Sequence, residues 1–224
     1  MTESSGGAAT LQRHGLGARI LHGINALAIL VLLVTGFAVS GDLPDGVSAL
    51  FGGHVSANDA HRWLGLALSI GLLLLALVCA RRVVRLLGDV ARFRWREWRW
   101  YVGFASLLAR PARRSAPFHA GRFDPAQRVV FACIVAAALV LCATGVYLFW
   151  SPPLPVSLMG PMIRAHIVAA WVLIAALCLH VVAGSGVLPT HRHLLGAMFG
   201  NGRVPIALAR RLWPGWAQRH DDAR

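Results

Sequence analysis

Four long stretches of apolar residues dominate the pattern of hydrophobic and polar positions along the chain. They cover residues 20–39, 63–80, 129–150 and 167–188, and none contains a charged side chain. A helix needs about 20 apolar residues to cross the hydrocarbon core of a bilayer. With their flanking residues, we expect spans over about residues 18–40, 60–81, 125–150 and 164–188. The pattern predicts an all-α membrane protein with a four-helix transmembrane bundle, forming a single domain over residues 1–224.

Composition and charge support this class of protein. Hydrophobic residues make up 57% of the chain and charged residues only 14%, which nearly excludes a soluble enzyme. The net charge of +13 comes from Arg without any Lys, and it could suggest nucleic acid binding. Because the basic residues flank membrane spans, we expect no nucleic acid partner. The four cysteines, Cys79, Cys133, Cys142 and Cys178, lack Cys-x-x-Cys spacing and are expected to be small buried side chains.

The connections between the spans differ sharply in Arg content. Residues 81–122 contain 11 Arg, and residues 189–224 form a basic tail with six more. By contrast, residues 40–60 contain no Arg and residues 151–165 contain only Arg164. Since positive loops stay in the cytoplasm, both termini, the middle connection and the tail 189–224 are predicted to be cytoplasmic. The polar first eleven residues and the lack of a nearby cleavage site indicate that the first span is retained.

The middle connection alternates arginines with aromatic residues. The alternation runs from Arg92 to Tyr101 and includes Arg94, Arg96, Arg99, Phe93, Trp95, Trp98 and Trp100. This mixture is typical of a cytoplasmic amphipathic segment lying among anionic lipid headgroups between the second and third spans. A solvated basic loop that only obeys the charge rule is the alternative.

Histidines at membrane depth are the candidate functional residues, because polar side chains are costly there. His22 lies at the inner end of the first span, His61 and His166 open the second and fourth spans from outside, and His180 lies inside the fourth. His166 and His180 are 14 residues apart, about 21 Å along a helix and on nearly the same face. Matching depths predict two pairs, His61 with His166 and His22 with His180.

Two facing imidazoles favour a b-type haem, because porphyrin iron needs only two axial ligands while a zinc site needs more protein ligands. Four single hydrogen-bonding histidines are the alternative interpretation. We expect His14, His54, His119, His191, His193 and His220 to be solvent-exposed in loops or tails, although His191 could lie near a cytoplasmic site. Thr35-Gly36 and Thr144-Gly145 form a weak internal repeat that predicts close helix packing.

Several motifs together resemble the four-helix di-haem cytochrome b membrane subunits, above all the formate dehydrogenase gamma subunit. Hydrogenase and thiosulfate reductase cytochrome b subunits are similar more loosely. The motifs are Arg19-Ile20-Leu21-His22, His61-Arg62-Trp63-Leu64-Gly65, Arg122-Phe123-Asp124-Pro125-Ala126-Gln127-Arg128, Thr144-Gly145, the His166/His180 spacing, and in the tail Met198, Gly202-Arg203-Val204 and Arg210-Arg211-Leu212-Trp213-Pro214.

The resemblance implies that all four histidines ligate the iron of two b-type haems and that Asp124 and Gln127 lie beside a quinone, menaquinone or ubiquinone. It also implies a bacterial inner (cytoplasmic) membrane protein whose partners are a periplasmic iron-sulfur subunit and a catalytic subunit. The gamma subunit usually has Asn at the position of Asp124. Arg19, with Arg62 and Arg164, is a candidate contact for a haem propionate, although interface anchoring is the simpler role.

Asp124 and Gln127 also fit a purely structural role. Asp-Pro-Ala-Gln supplies an N-cap, a Pro at the first helical position and a Gln at the third, which predicts a capping box opening the third span. A capping side chain at a helix mouth can also contact a quinone headgroup.

Four functions therefore stay open. The leading one is a membrane anchor and electron-transfer subunit that reduces quinone for a formate dehydrogenase-like complex and does not itself act on the primary substrate. A stand-alone cytochrome b that oxidises a small donor such as superoxide, or a hydrogenase cytochrome b subunit, retains the haems. A haem-free transporter or assembly anchor would use the same histidines for protons or hydrogen bonds.

Overall fold

The computed structural model describes residues 9–42, 44–92, 97–109, 118–119, 121–150, 155–192 and 194–221, without the side chains of Asp45, Leu107 and Leu108. Two short strands and ten α-helices occur in this part of the chain. In order they are β1 Thr10–Gln12, α1 Leu16–Ser40, α2 Asp45–Ala49, α3 His54–Val78, α4 Ala80–Ala91, α5 Trp98–Ala109, α6 Pro125–Phe149, α7 Met159–Gly184, α8 Leu195–Phe199, β2 Arg203–Pro205, α9 Ile206–Leu212 and α10 Pro214–Asp221.

Four of these helices are long and apolar enough to cross a membrane. They are α1, α3, α6 and α7, the last with the 3-10 turn Val156–Leu158 that leads into it. The predicted all-α membrane bundle is confirmed in class. The helix bounds differ from the bounds predicted for the spans. α3 begins at His54 rather than near residue 60, and α7 ends at Gly184 rather than near residue 188.

The described residues form two compact units. The first contains the described parts of Met1–Ile20, Leu86–Ala132 and Leu177–Arg224, and the second consists of Leu21–Arg85 and the described parts of Cys133–Ala176.

The second unit has the packing expected of helices in lipid. Its most buried side chains are small, among them Ala38, Ala57 and Ala169, while Leu30 and Leu77 are exposed. Small residues let helix backbones approach closely, and large apolar side chains lose nothing by facing lipid.

The same logic corrects the prediction for the cysteines, since Cys133 in α6 and Cys178 in α7 are exposed. A lipid-facing surface accepts a thiol as readily as a protein core does.

The first unit folds much of the predicted basic tail. β2 pairs antiparallel with β1, with Leu11 opposite Val204. The strands pack with α8, α9 and α10 around an apolar core that contains Leu11, Val204, Leu212, Trp213 and Trp216. Pro214 is the first residue of α10, a position where its missing N–H costs nothing. The tail prediction captured the charge of residues 189–224 and missed this core.

The middle connection forms two helices in the described residues. Arg81, Arg82 and Arg85 in α4 are spaced to share one face. Trp98 and Trp100 begin α5, where Trp98 is exposed and Trp100 is buried against the stacked ring of Phe104. Phe93, Arg94, Trp95 and Arg96, part of the predicted interfacial segment, lie outside the described residues. The membrane-surface role of this segment therefore stays a prediction.

Candidate functional site

His61 and His166 face each other in the second unit. Their ring centroids lie 6.2 Å apart and the ring planes are inclined at 74°. His61 lies seven residues after His54, the first residue of α3, and His166 lies seven residues after Met159, the first residue of α7. They do not open their helices, as the sequence pattern suggested, because polar residues and a 3-10 turn extend both helices backwards. The two rings face each other, as the matching depths predicted, and each lies about two turns inside its helix. Their role as haem ligands stays a prediction.

A threonine hydroxyl fixes the orientation of each ring. Thr35 Oγ1 lies 3.1 Å from His61 Nδ1 and donates its own proton to the carbonyl of Val31, 2.8 Å away. Thr144 Oγ1 lies 2.8 Å from His166 Nδ1 and donates to the carbonyl of Val140, 2.6 Å away. A hydroxyl has one proton to give, so each oxygen accepts from the imidazole Nδ1–H. At His61 the carbonyl oxygen of Leu32, 3.1 Å from Nδ1, is a second acceptor. Nε2 of both rings is thereby left as the nitrogen with a free lone pair.

Two glycines make room for these rings. A Cβ on Gly36 would lie 3.2 Å from Cε1 of His61, and a Cβ on Gly145 would lie 3.4 Å from Cε1 of His166. Both distances are tight for a methyl group in van der Waals contact. The close packing predicted from the Thr-Gly repeat is confirmed. Its second role, that the neighbouring threonine holds the imidazole, was not predicted, although the repeat itself was visible in the sequence.

The geometry of this pair fits a haem iron. Metal–imidazole bonds are about 2 Å long, so two imidazoles on opposite sides of one metal have ring centres about 6 Å apart. The observed centroid distance of 6.2 Å matches this separation, and Nε2 is the nitrogen left to bind. No group of three or more His, Cys, Asp or Glu side chains suited to a metal ion occurs within the described ranges. Two imidazoles alone suit an iron whose remaining ligands come from a porphyrin.

The second predicted pair, His22 and His180, divides between the two units. His22 belongs to α1 in the second unit and His180 to α7 in the first. Their joint site stays a prediction.

The arginines beside the sites hold backbone carbonyls. Arg19 donates from Nε to the carbonyl of Met198 at 3.3 Å and from Nη2 to the carbonyl of Gly200. Arg62 donates to the carbonyl of Phe149 at 3.0 Å and lies over the ring of the same residue. Both thus tie helices to neighbouring segments. The contact of Arg19 with a haem propionate stays a prediction.

Asp124 caps the helix α6. Its Oδ1 accepts a hydrogen bond of 2.8 Å from the backbone N–H of Gln127, and Pro125 is the first helical residue. The predicted N-cap is confirmed. Burial raises the pKa of Asp124 from 3.8 to about 6, against the opposing effect of the N–H groups of Gln127 and Ala126 and of two arginines, Arg13 and Arg128. The carboxyl group can therefore bind and release a proton near neutral pH.

Two arginines, Arg13 and Arg128, act on Asp124, and Glu97 pairs with the second of them. The guanidinium of Arg13 lies 4.0 Å from the ring centroid of Trp213 and donates to the carbonyl of Arg122 at 2.8 Å. Burial lowers the pKa of Arg13 to about 9, helped by Arg122 and opposed by Asp124. Arg128 Nη2 lies 2.5 Å from Glu97 Oε1. Arg13 and Glu97 were not predicted as site residues, because a lone basic or acidic residue in a basic chain gives no sequence signal.

Two of the histidines predicted to be solvent-exposed are buried. His119 is 8% exposed and His191 is 3% exposed. Burial and the charge of Arg211 lower the pKa of His191 to about 4, and its Nδ1 lies 2.7 Å from Thr190 Oγ1. The prediction that His119 and His191 are exposed was wrong, because the folded tail covers both side chains. His54 and His220 are exposed as predicted, His14 is half-buried, and His193 lies outside the described residues.

The threonine bond yields a direct test at the paired histidines. Replacing Thr144 with Val removes the hydroxyl that accepts from His166 Nδ1 while preserving size. We expect haem affinity at this site to fall roughly 10- to 100-fold, as for other partners of metal-bound histidines. The measurement is haem per chain after haem titration of the purified apoprotein. Thr144→Ser, which restores a hydroxyl, should recover affinity; equal affinity in all three proteins would contradict the assignment.

The raised pKa of Asp124 predicts a pH dependence of stability. Because about 6 lies above the ordinary 3.8, the folded protein binds this proton more tightly than the unfolded chain. The resulting stabilisation is complete below pH 4 and is lost as the pH rises through 6. Asn also caps helices and cannot ionise. Relative to Asp124→Asn, the wild type should lose up to about 3 kcal/mol between pH 4 and pH 7.

Thermal unfolding in detergent across this pH range measures that difference. The exposed carboxyl of Asp89 provides the control, since Asp89→Asn should follow the wild-type profile. Parallel profiles for the wild type and Asp124→Asn would show that the carboxyl is not protonated differently on folding.

The comparisons with known proteins show the family of the chain. Residues 13–201 match the family model described as prokaryotic cytochrome b561. All four predicted haem ligands fall within this range of residues. No curated protein sequence matches the chain. Four apolar helices and a family of this kind indicate a bacterial multi-pass membrane protein that carries b-type haem and takes part in electron transfer. The chain belongs to the prokaryotic cytochrome b561 family.

Proposed function

We propose that the protein is the membrane anchor and electron-transfer subunit of a respiratory redox complex. It accepts electrons from a periplasmic iron-sulfur subunit, whose catalytic partner is of the formate dehydrogenase type, and it reduces menaquinone or ubiquinone at the cytoplasmic side. The observation that carries the proposal is the facing pair His61 and His166, 6.2 Å apart between ring centroids and each fixed by a threonine.

Two b-type haems are held in this proposal, one by His61 with His166 and one by His22 with His180. A bound b-type haem supplies a one-electron redox centre. The residues of the chain bind and orient it: Thr35 and Thr144 present Nε2 of the outer rings, and Gly36 and Gly145 keep the space beside those rings free.

The quinone site lies at Asp124 and Gln127. Quinone reduction consumes protons as well as electrons, so the site needs a group that can supply a proton near neutral pH. The buried carboxyl of Asp124, with a pKa of about 6, has this property. The side chain of Gln127 is half-buried at the first turn of α6, where its amide can donate to a quinone carbonyl.

Contacts within the first unit support a common side for the termini and the middle connection. β1 pairs with β2, Arg13 donates to the carbonyl of Arg122, and His119 bonds the carbonyl of Leu212 at 2.9 Å. Four spans place these segments on one face of the membrane. Their high Arg content favours the cytoplasmic face, and the bacterial inner membrane is the one with that orientation rule.

The membrane potential sets a condition on the electron donor. An electron that moves from the periplasmic to the cytoplasmic side moves against the potential, at about 2.3 kcal/mol per 100 mV. The donor must therefore have a low reduction potential, as formate and hydrogen do. The primary substrate is oxidised by the partner, because no nucleotide-binding turn or soluble catalytic constellation occurs in the sequence.

Haem content and copurification test the proposal. The protein purified from its native membrane should carry about two b-type haems per chain, seen in the dithionite-reduced spectrum, together with an iron-sulfur subunit. His61→Ala and His166→Ala should each leave one haem, and His54→Ala, at an exposed position of α3, should leave both. A pigmented protein that purifies alone and oxidises superoxide would instead be a stand-alone cytochrome. A colourless protein would exclude every redox role.

Gln127 tests the quinone site. Gln127→Ala removes the amide and leaves the backbone N–H that Asp124 caps, so both haems should stay bound while quinone reduction slows. The measurement is the rate of short-chain quinone reduction by dithionite-reduced protein, with the haem content determined on the same sample. Loss of haem in this variant would assign Gln127 to the structure of the site instead.

A further inference from the structure

A cluster of buried polar side chains lies around Asp124 in the first unit, and several of its atoms lack a hydrogen-bond partner. These atoms are completely shielded from solvent, and they include both donors and acceptors. Among the residues that the structure describes they are Arg13 Nη1, Glu97 Oε2, Trp100 Nε1, His119 Nδ1 and Trp213 Nε1. Buried polar atoms in folded proteins are almost always hydrogen-bonded, so this concentration requires an explanation.

The proton on His119 can be placed from its contacts. Nε2 lies 2.9 Å from the carbonyl oxygen of Leu212. A carbonyl oxygen only accepts, so Nε2 carries the proton and the neutral ring leaves Nδ1 as a free acceptor. Burial lowers the pKa of His119, with Arg128 and Arg13 acting in the same direction and Glu97 against them. The neutral form, with its empty Nδ1, is therefore favoured.

Glu97 has one oxygen in use and one free. Its Oε1 lies 2.5 Å from Arg128 Nη2, while Oε2 is buried without a partner. The ring centroid of Trp100, three residues after Glu97, lies 6.2 Å from the ring centroid of His119. The neighbouring Tyr101 donates from its hydroxyl to the carbonyl of Pro125 at 3.1 Å. α5 therefore connects Glu97 to His119 on one side and to the mouth of α6 on the other.

The same charges act on Asp124. Arg13 from the N-terminal segment and Arg128 from α6 both lower the pKa of its carboxyl, against the effect of burial. The pKa of Tyr101 is raised by burial, Glu97 and Asp124 and lowered by Arg128. Asp124, Glu97 and His119 are thus linked through shared neighbours. Arg13 and Arg128 act on both Asp124 and His119, and Glu97 and Asp124 both act on Tyr101.

Internal water explains the unpartnered atoms best. A buried water molecule makes about three hydrogen bonds and can both donate and accept. Three of the free atoms are donors and two are acceptors, a set that water can satisfy and that an apolar ligand cannot. Water between such groups also allows proton transfer over distances too long for a direct hydrogen bond.

We propose that Glu97 and His119, bridged by internal water, form the route by which protons reach Asp124 and then the quinone. The inference rests on the proposed function and names the proton donors of that same site. A quinone takes up two electrons and two protons to become a quinol, and the reduced protein supplies the electrons. For each proton, the O–H bond of Asp124 breaks as an O–H bond forms on a quinone oxygen.

The carboxylate left on Asp124 then takes a proton back through the cluster. A proton from bulk water enters the internal water and passes by way of Glu97 or His119 Nδ1 to Asp124. This restores the neutral acid and leaves Glu97 and the His119 ring in their starting states. Arg13 and Arg128 stabilise the carboxylate while the proton is absent, since both lie near it.

Two conservative variants test the route. Glu97→Gln keeps an oxygen that accepts from Arg128, but its amide cannot bind and release a proton. His119→Gln keeps an N–H donor for the carbonyl of Leu212. With dithionite-reduced protein and a short-chain ubiquinone, kcat should fall on the order of 10- to 100-fold in each, while KM stays unchanged. The solvent deuterium isotope effect on kcat should increase. His220→Gln is the control, because His220 bonds a backbone carbonyl in the same unit but is exposed.

A second measurement is independent of turnover. Infrared difference spectra of oxidised against reduced protein, in water and in deuterium oxide, should show protonation of a carboxyl group in the wild type. Asp124→Asn should abolish this band, and Glu97→Gln should slow its appearance. Glu97→Asp retains a titratable carboxyl and should recover much of the lost rate, which also covers a Gln variant that fails to fold.

The outcomes separate this inference from the proposed function. Wild-type rates and isotope effects in both Gln variants would overturn the proton route and leave quinone reduction standing. A rise in KM or a loss of haem that accounts for the slower rate would show a structural role and would overturn it as well. A haem-loaded wild-type protein that reduces no quinone would overturn the proposed function, and the route with it.

Discussion

The hydrogen bond from an imidazole Nδ1 to a threonine hydroxyl is the interaction on which the site depends. Within an apolar helix the threonine proton goes to the carbonyl one turn earlier, as at Thr35 and Val31, so the hydroxyl oxygen can only accept. This acceptor, together with the carbonyl oxygen of Leu32, keeps the proton of His61 on Nδ1 and leaves Nε2 with a free lone pair. A membrane interior can supply this control of tautomer at no cost in buried charge, which a carboxylate partner could not.

This arrangement occurs twice, which explains the internal repeat. α1 with α3 and α6 with α7 each place a Thr-Gly pair on the first helix against a histidine seven residues inside the second. Each pair of helices contributes one imidazole to the facing pair. The two halves meet as His61 and His166, and the separation of 6.2 Å is set by helix packing that Gly36 and Gly145 permit.

The spans and the facing of His61 and His166 were predictable because the bilayer imposes a length, an apolar composition and a matching of depths on any sequence that crosses it. The threonine contacts required knowledge of which helix faces which. The fold of the tail was hidden for a different reason: Trp213 and Trp216 lie among arginines, and their core needs Leu11 from the opposite end of the chain. His119 and His191 were therefore predicted to be exposed and are buried. Burial of a loop histidine depends on distant partners that local sequence does not contain.

The two units follow opposite packing rules, and this difference bears on where proton chemistry can take place. In the second unit small residues are buried and large apolar residues are exposed, so its interior offers few polar groups beyond the fixed imidazoles. The first unit buries tryptophans together with Arg13, Asp124 and His119, as a water-soluble domain does around a polar site. Electron carriers need rigid ligands in a dry environment, whereas quinone reduction needs groups that exchange protons with water. Under the proposed function, each unit therefore has the composition that one of these two tasks requires.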